Sequence, residues 1–66
     1  MKLYVWEDVL RNWTAGMIVA IAPDLESALA TVEEDYVRAE MGRVSPMVIT
    51  VSVDTKPQSW HVFGGG

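Results

Sequence analysis

No cysteine occurs among the 66 residues, and histidine occurs once, at His61. The first absence removes disulfides and thiolate metal sites; the second removes any cage of several histidines. Neither a metal nor a cofactor is therefore expected. Long apolar runs are missing too. The longest, residues 17–23, has about the length of one strand, whereas a bilayer span needs about 20 residues. Glu7 and Asp8 interrupt the start of the chain before the apolar segment of a signal peptide could form, so the cytoplasm is the expected compartment. Positive charge is scarce: five Lys and Arg against nine Asp and Glu give a net charge of −4. Direct nucleic-acid binding needs a basic face and is not expected. An acidic surface suits a protein partner with a basic one.

What remains is apolar. Half of the residues are hydrophobic, among them three Trp and four Met. So short a chain lies near the lower limit for folding on burial alone, and residues 1–66 can make only a single domain. Association with a second copy often supports folding at this size, which leaves a homodimer open.

Apolar periodicity divides the chain. Residues 2–7 alternate, with Leu3 and Val5 on one side and Tyr4 and Trp6 on the other, and predict a strand. Residues 8–16 read as a turn or wide hairpin loop with Trp13 near its tip. Residues 17–22 predict a second strand, apolar on both faces and so central or covered. Asp24 suits a helix N-cap, and Leu25, Ala28, Leu29, Val32, Tyr36 and Ala39 then recur at spacings of three and four. These predict one helix over residues 24–41, stopped by Gly42. Residues 47–53 and 60–63 predict two more strands, joined by a polar loop, and the glycine tail closes the strand end at 63–66.

The expected class is α+β, in the order β-β-α-β-β: a four-stranded, mainly antiparallel sheet with one amphipathic helix on one face. Leu25, Leu29, Val32, Ile49 and Val51 are expected to be buried together, with Trp60 in the core. One helix covers only one face of such a sheet. The opposite face then meets solvent, a second copy or a partner, and Tyr4 and Trp6 are expected there.

Two sets of residues suit partner binding. Glu26, Glu33 and Glu40 stand seven apart, with Glu34 and Asp35 between them. On one continuous helix the three stay nearly in line at intervals of about 10.5 Å, a row of carboxylates able to enter a basic groove. A solvated helix face has the same composition. Tyr4, Trp6 and Trp13 are aromatic residues of the kind that anchor interfaces. No serine stands in a nucleophile-elbow context, and His61 has no partner histidine or cysteine. Binding rather than catalysis is expected.

These segments resemble two groups of proteins. The opening KLYVWED, the DLESALATVEED segment and the ending WHVFGGG are similar to the short acidic α/β proteins of phages and mobile elements, some of them anti-CRISPR or other anti-defence inhibitors. That resemblance implies action in a host cytoplasm, by covering an effector's nucleic-acid channel or subunit interface. Glu26, Glu33, Glu40 and the exposed aromatics would be the inhibitory surface. The length, the β-β-α start and the terminal Gly65-Gly66 resemble the ubiquitin-like sulfur carriers, which implies adenylation of the Gly66 carboxylate. The Gly-Asp turn expected before that family's last strand is missing between residues 54 and 59.

Overall fold

The computed structural model describes residues 1–65. Its elements are β1 (Lys2–Asn12), β2 (Thr14–Ala22), α1 (Leu25–Ala30), α2 (Asp35–Arg43), β3 (Met47–Thr50) and β4 (Gln58–Val62). The four strands form one sheet in the order β3-β1-β2-β4, antiparallel at every junction. The α+β class and the antiparallel sheet are as the sequence predicts.

The hairpin is longer than expected. Residues 8–16 continue the β1–β2 ladder, with irregular register between Glu7 and Val9 and between Val9 and Asn12. Positive φ angles at Asp8 (57°) and Leu10 (52°) make these irregularities, and Trp13 (74°) makes the tip. Asp adopts that region readily, whereas Leu and Trp do so at a cost of about 1–3 kcal/mol each. The distortion breaks strict alternation, so that the consecutive Val9 and Leu10 are both buried. The Leu10 amide donates to Glu40 Oε1 at 2.9 Å, and Arg43 Nη2 donates to the Asp8 carbonyl at 3.2 Å. Two side chains of α2 thereby clamp the distorted arm.

The single helix expected over 24–41 is divided. Asp24 caps α1 as predicted, its carboxylate accepting the Ser27 amide at 2.7 Å. The helix then stops at Thr31, whose hydroxyl bonds back to the Ala28 carbonyl at 2.7 Å. Glu33, Glu34 and Asp35 follow. At a new helix start these carboxylates meet the positive end of its dipole. The break also resets the buried stripe: Val37 and Met41 lie in the core where an unbroken helix would have placed Tyr36 and Ala39. Gly42 lies inside α2 rather than ending it.

α1 lies over β2 and α2 over β1, on the same face of the sheet. That face carries Tyr4, Trp6, Ile18, Ala20 and Ala22, all buried. The expected orientation of β1 is therefore reversed. Tyr4 and Trp6, at 4% and 0% exposure, form the core, with ring centroids 6.0 Å apart. Small residues make this packing feasible: Tyr4 lies directly opposite Ala20, and Ala22 and Ala28 let the helices approach closely. Trp6 Nε1 donates to the Met41 carbonyl at 2.9 Å, satisfying an orphan acceptor of the last turn of α2.

Other core expectations change with the face. Val32 is buried and Leu29 packs at the margin, but Leu25 and Ile49 are exposed and Val51 is half-buried. Trp60 is 56% exposed. No helix among the described residues is long and apolar enough to cross a membrane.

Candidate protein-binding surface

Residues directly opposite one another in a ladder share a sheet face. Val5 pairs with Met47 on one side and Val19 on the other, and Val19 pairs in turn with Trp60. These four make an apolar row across every strand. In the next row Leu3 joins Ile49 to Ile21, which ends on Gln58. Nearer the hairpin tip, Met17 stands between Glu7 and Val62. Among the described residues no helix packs on this side. Met17, Met47, Ile49, Trp60 and Val62 are exposed, and the central Leu3, Val5, Val19 and Ile21 are half-buried by their neighbours.

The two central rows contain no charge. Glu7 and Gln58 supply the polar groups, at opposite ends of the face. A shallow depression of about 300 Å³ lies beside β4, lined by Met17, Val19, Trp60, His61 and Val62. Scattered exposed apolar residues are ordinary, whereas a contiguous apolar patch on one plane is a candidate interaction surface.

The acidic residues belong to the other layer, and the division of the helix disperses them. Glu26 lies on α1, Glu33 in the connection, and Glu40 on α2. They do not share one rod. Glu40 is also committed to the fold: its side chain is 16% exposed and pairs with Arg43 at 2.7 Å. That Arg43 pairing, and then the Leu10 amide, hold its carboxyl below the usual range. Glu34 approaches His61 Nε2 at 3.3 Å, and Asp35 approaches Arg38 at 3.7 Å. Glu26 and Glu33 are exposed and enter no ion pair among the described residues.

Trp13 projects from the hairpin tip at 86% exposure, where the sequence places it. Tyr4 and Trp6, also expected at the surface, are covered by the helices. The residues that replace them on the open face are Leu3, Val5, Trp60 and their row neighbours. One signal in the sequence points that way: Ala20 and Ala22 alternate with larger residues in β2, and small residues on one face call for large ones opposite.

The glycine tail is docked as far as it is described. Gly64 is buried, and its amide donates to the Leu10 carbonyl at 3.0 Å. Gly65 donates its amide to Thr14 Oγ1 at 2.9 Å, and its carbonyl accepts from the same hydroxyl at 2.6 Å. A Cβ on Gly64 would lie 1.6 Å from the Thr14 carbonyl oxygen, so the close approach requires glycine. Gly66, the residue a sulfur carrier would activate, lies outside the described residues.

Among the described residues no group of three or more His, Cys, Asp or Glu is arranged to hold a metal ion. No family model, curated protein or solved structure matches the chain. The fold defines a two-layer α+β domain with one sealed and one open sheet face.

Proposed function

We propose that this chain is a small protein-binding module that acts by covering a surface of its partner with the open face of its sheet. The observation that carries this reading is the uncharged apolar surface running from Met47 through Val5 and Val19 to Trp60. Apolar area removed from water stabilises a complex by about 25 cal/mol per Å² before the costs of association. Such a module serves as an inhibitor of the anti-CRISPR or anti-defence type when the surface it covers is a subunit interface of its target.

A photo-crosslinking residue placed at position 60 or at position 26, in the cells that make the protein, tests the reading. A defined protein adduct from position 60, and none from position 26, is expected. Adducts from position 26 alone would move the binding surface to the helical layer.

A second reading has that layer entering a basic groove, and it is favoured by Glu26 and Glu33, which have no cationic partner among the described residues. The two readings differ in their salt response. Attraction between opposite charges weakens with ionic strength, whereas burial of the sheet face does not. Glu26→Lys combined with Glu33→Lys abolishes binding only in the second reading. The sulfur-carrier alternative is less favoured, because Gly64 and Gly65 are held against the hairpin and Gly64 fills a packing role.

A further inference from the structure

We propose that the occupant of the open sheet face is a second copy of this chain, in a face-to-face homodimer with the helical layers outermost. This rests on the reading of that face as a binding surface and names its partner.

Three observations favour a second copy. The first is shape and size. Four strands spaced about 4.8 Å apart make a face about 19 Å wide, and six residues along them add about 20 Å. That footprint, about 380 Å² before side-chain relief, is about half of the roughly 800 Å² per partner of a standard interface, the size of a weak, concentration-dependent contact. It is about a tenth of the chain's 4329 Å² of accessible surface. Twisted sheets pack best on other twisted sheets, aligned within about 30°.

The second observation is charge. Each copy carries −4, which opposes association unless the charges stay apart. Glu26, Glu33, Glu34, Asp35 and Glu40 all belong to the helical segment, behind the sheet. With layers about 10 Å apart, two sheets face to face hold the helical layers about 30 Å apart, several times the Debye length of about 8 Å. The two central apolar rows then meet with no charge between them, and Glu7, the one carboxylate of the face among the described residues, lies at its hairpin-ward end over Met17 of the other copy.

The third is self-complementarity. A two-fold axis along the strands lays Trp60 of each copy over Met47 of the other and Val5 over Val19. The largest side chain meets a flexible one at the edges, and like-sized ones meet in the centre. Methionine fills irregular gaps of this kind. The contact is isologous and closes at two copies, which avoids open-ended growth.

Sedimentation equilibrium from about 1 µM to about 1 mM, a range spanning weak to moderate association, tests this. The mass should rise from 7.3 kDa toward twice that value. Val19→Lys puts an unpaired charge at the centre of the contact and should weaken the dimer by at least about a hundredfold. Glu26→Lys, behind the sheet, should change it little. If Val19→Lys fails to fold, Trp60→Ser at the exposed edge should still weaken association at least tenfold, as expected for an aromatic anchor of an interface. A dimer indifferent to both face variants has its interface elsewhere and overturns the proposal.

A protein monomeric throughout the range also overturns it. Acrylamide quenching in a Trp13→Phe background then decides whether the broader reading fails as well. If Trp60 is quenched freely, the face is open to a foreign protein and only the homodimer is lost. If Trp60 is protected in the monomer, the chain covers its own face and both are lost.

Discussion

Trp6 and Trp60 are the same residue on opposite faces, and replacing each by Phe should have very different effects. Trp6 is fully enclosed, and its Nε1 donates the hydrogen bond that satisfies the Met41 carbonyl at 2.9 Å. Phe at position 6 leaves that buried carbonyl unpaired, at a cost of about 1–3 kcal/mol. The smaller ring also opens a cavity between β1 and α2, adding about 1 kcal/mol. The combined loss is about 2–4 kcal/mol, from a total of roughly 3–10 kcal/mol expected for a domain of this length. For so small a domain this lowers Tm by about 10–25 °C. Trp60→Phe removes no hydrogen bond and leaves an exposed ring; its effect on the monomer should stay within about 0.5 kcal/mol. Thermal unfolding followed by circular dichroism at low protein concentration measures both. Near-equal Tm values for Trp6→Phe and wild type, with a large drop for Trp60→Phe, would refute the assignment of the faces.

Acidification should destabilise the fold. Glu40 is held below its ordinary value of 4.5 by Arg43 and the Leu10 amide, and Asp24 below 3.8 chiefly by the Ser27 amide. Carboxyl groups depressed in the folded state stabilise it above their unfolded pKa, and that contribution disappears as pH falls through the folded value. Tm should therefore decline below about pH 4.5, and more shallowly in Glu40→Gln; equal slopes would remove Glu40 from the account. Gly64→Ala should displace the tail from the hairpin, because its Cβ would lie 1.6 Å from the Thr14 oxygen, whereas Gly65→Ala meets nothing within 4 Å. Faster amide exchange at position 64 and in β4 in the first variant alone is the expected result. Glu26→Lys with Glu33→Lys should leave Tm within a few degrees of wild type, since exposed positions tolerate such changes; a large drop would show that these carboxylates support the fold.

Strand and helix content was legible because alternation in residues 2–7 and the cap at Asp24 are local signals. Which face of β1 the helices cover was not. Leu3/Val5 and Tyr4/Trp6 are both apolar pairs, so periodicity separates the faces without ranking them. The preference of Trp and Tyr for interfaces pointed to the wrong one, and the alanines of β2 and α1 were the better guide. The helix break was hidden because Leu25 to Ala39 sustains a helical spacing through Glu33-Glu34-Asp35, the carboxylates of a new helix start. The hairpin distortion depends on Asp8, Leu10 and Trp13 entering left-handed conformations, and only Asp among them favours that region. The acidic row failed with the continuous helix, since its alignment required an unbroken rod between Glu26 and Glu40. Trp13 was placed correctly at the hairpin tip because Asn12, Thr14 and Gly16 mark a turn by their chemistry.

The sheet has one sealed face and one open apolar face. Fluorine NMR of protein labelled with 5-fluorotryptophan tests this arrangement most directly, because the three tryptophans report on three environments. At low concentration the Trp6 line should be insensitive to solvent isotope and to a soluble paramagnet, and the Trp13 and Trp60 lines should respond to both. At high concentration Trp60 alone should become protected. A responsive Trp6 line, together with a Trp60 line protected at every concentration, would contradict the account, because the helices would then cover the opposite face.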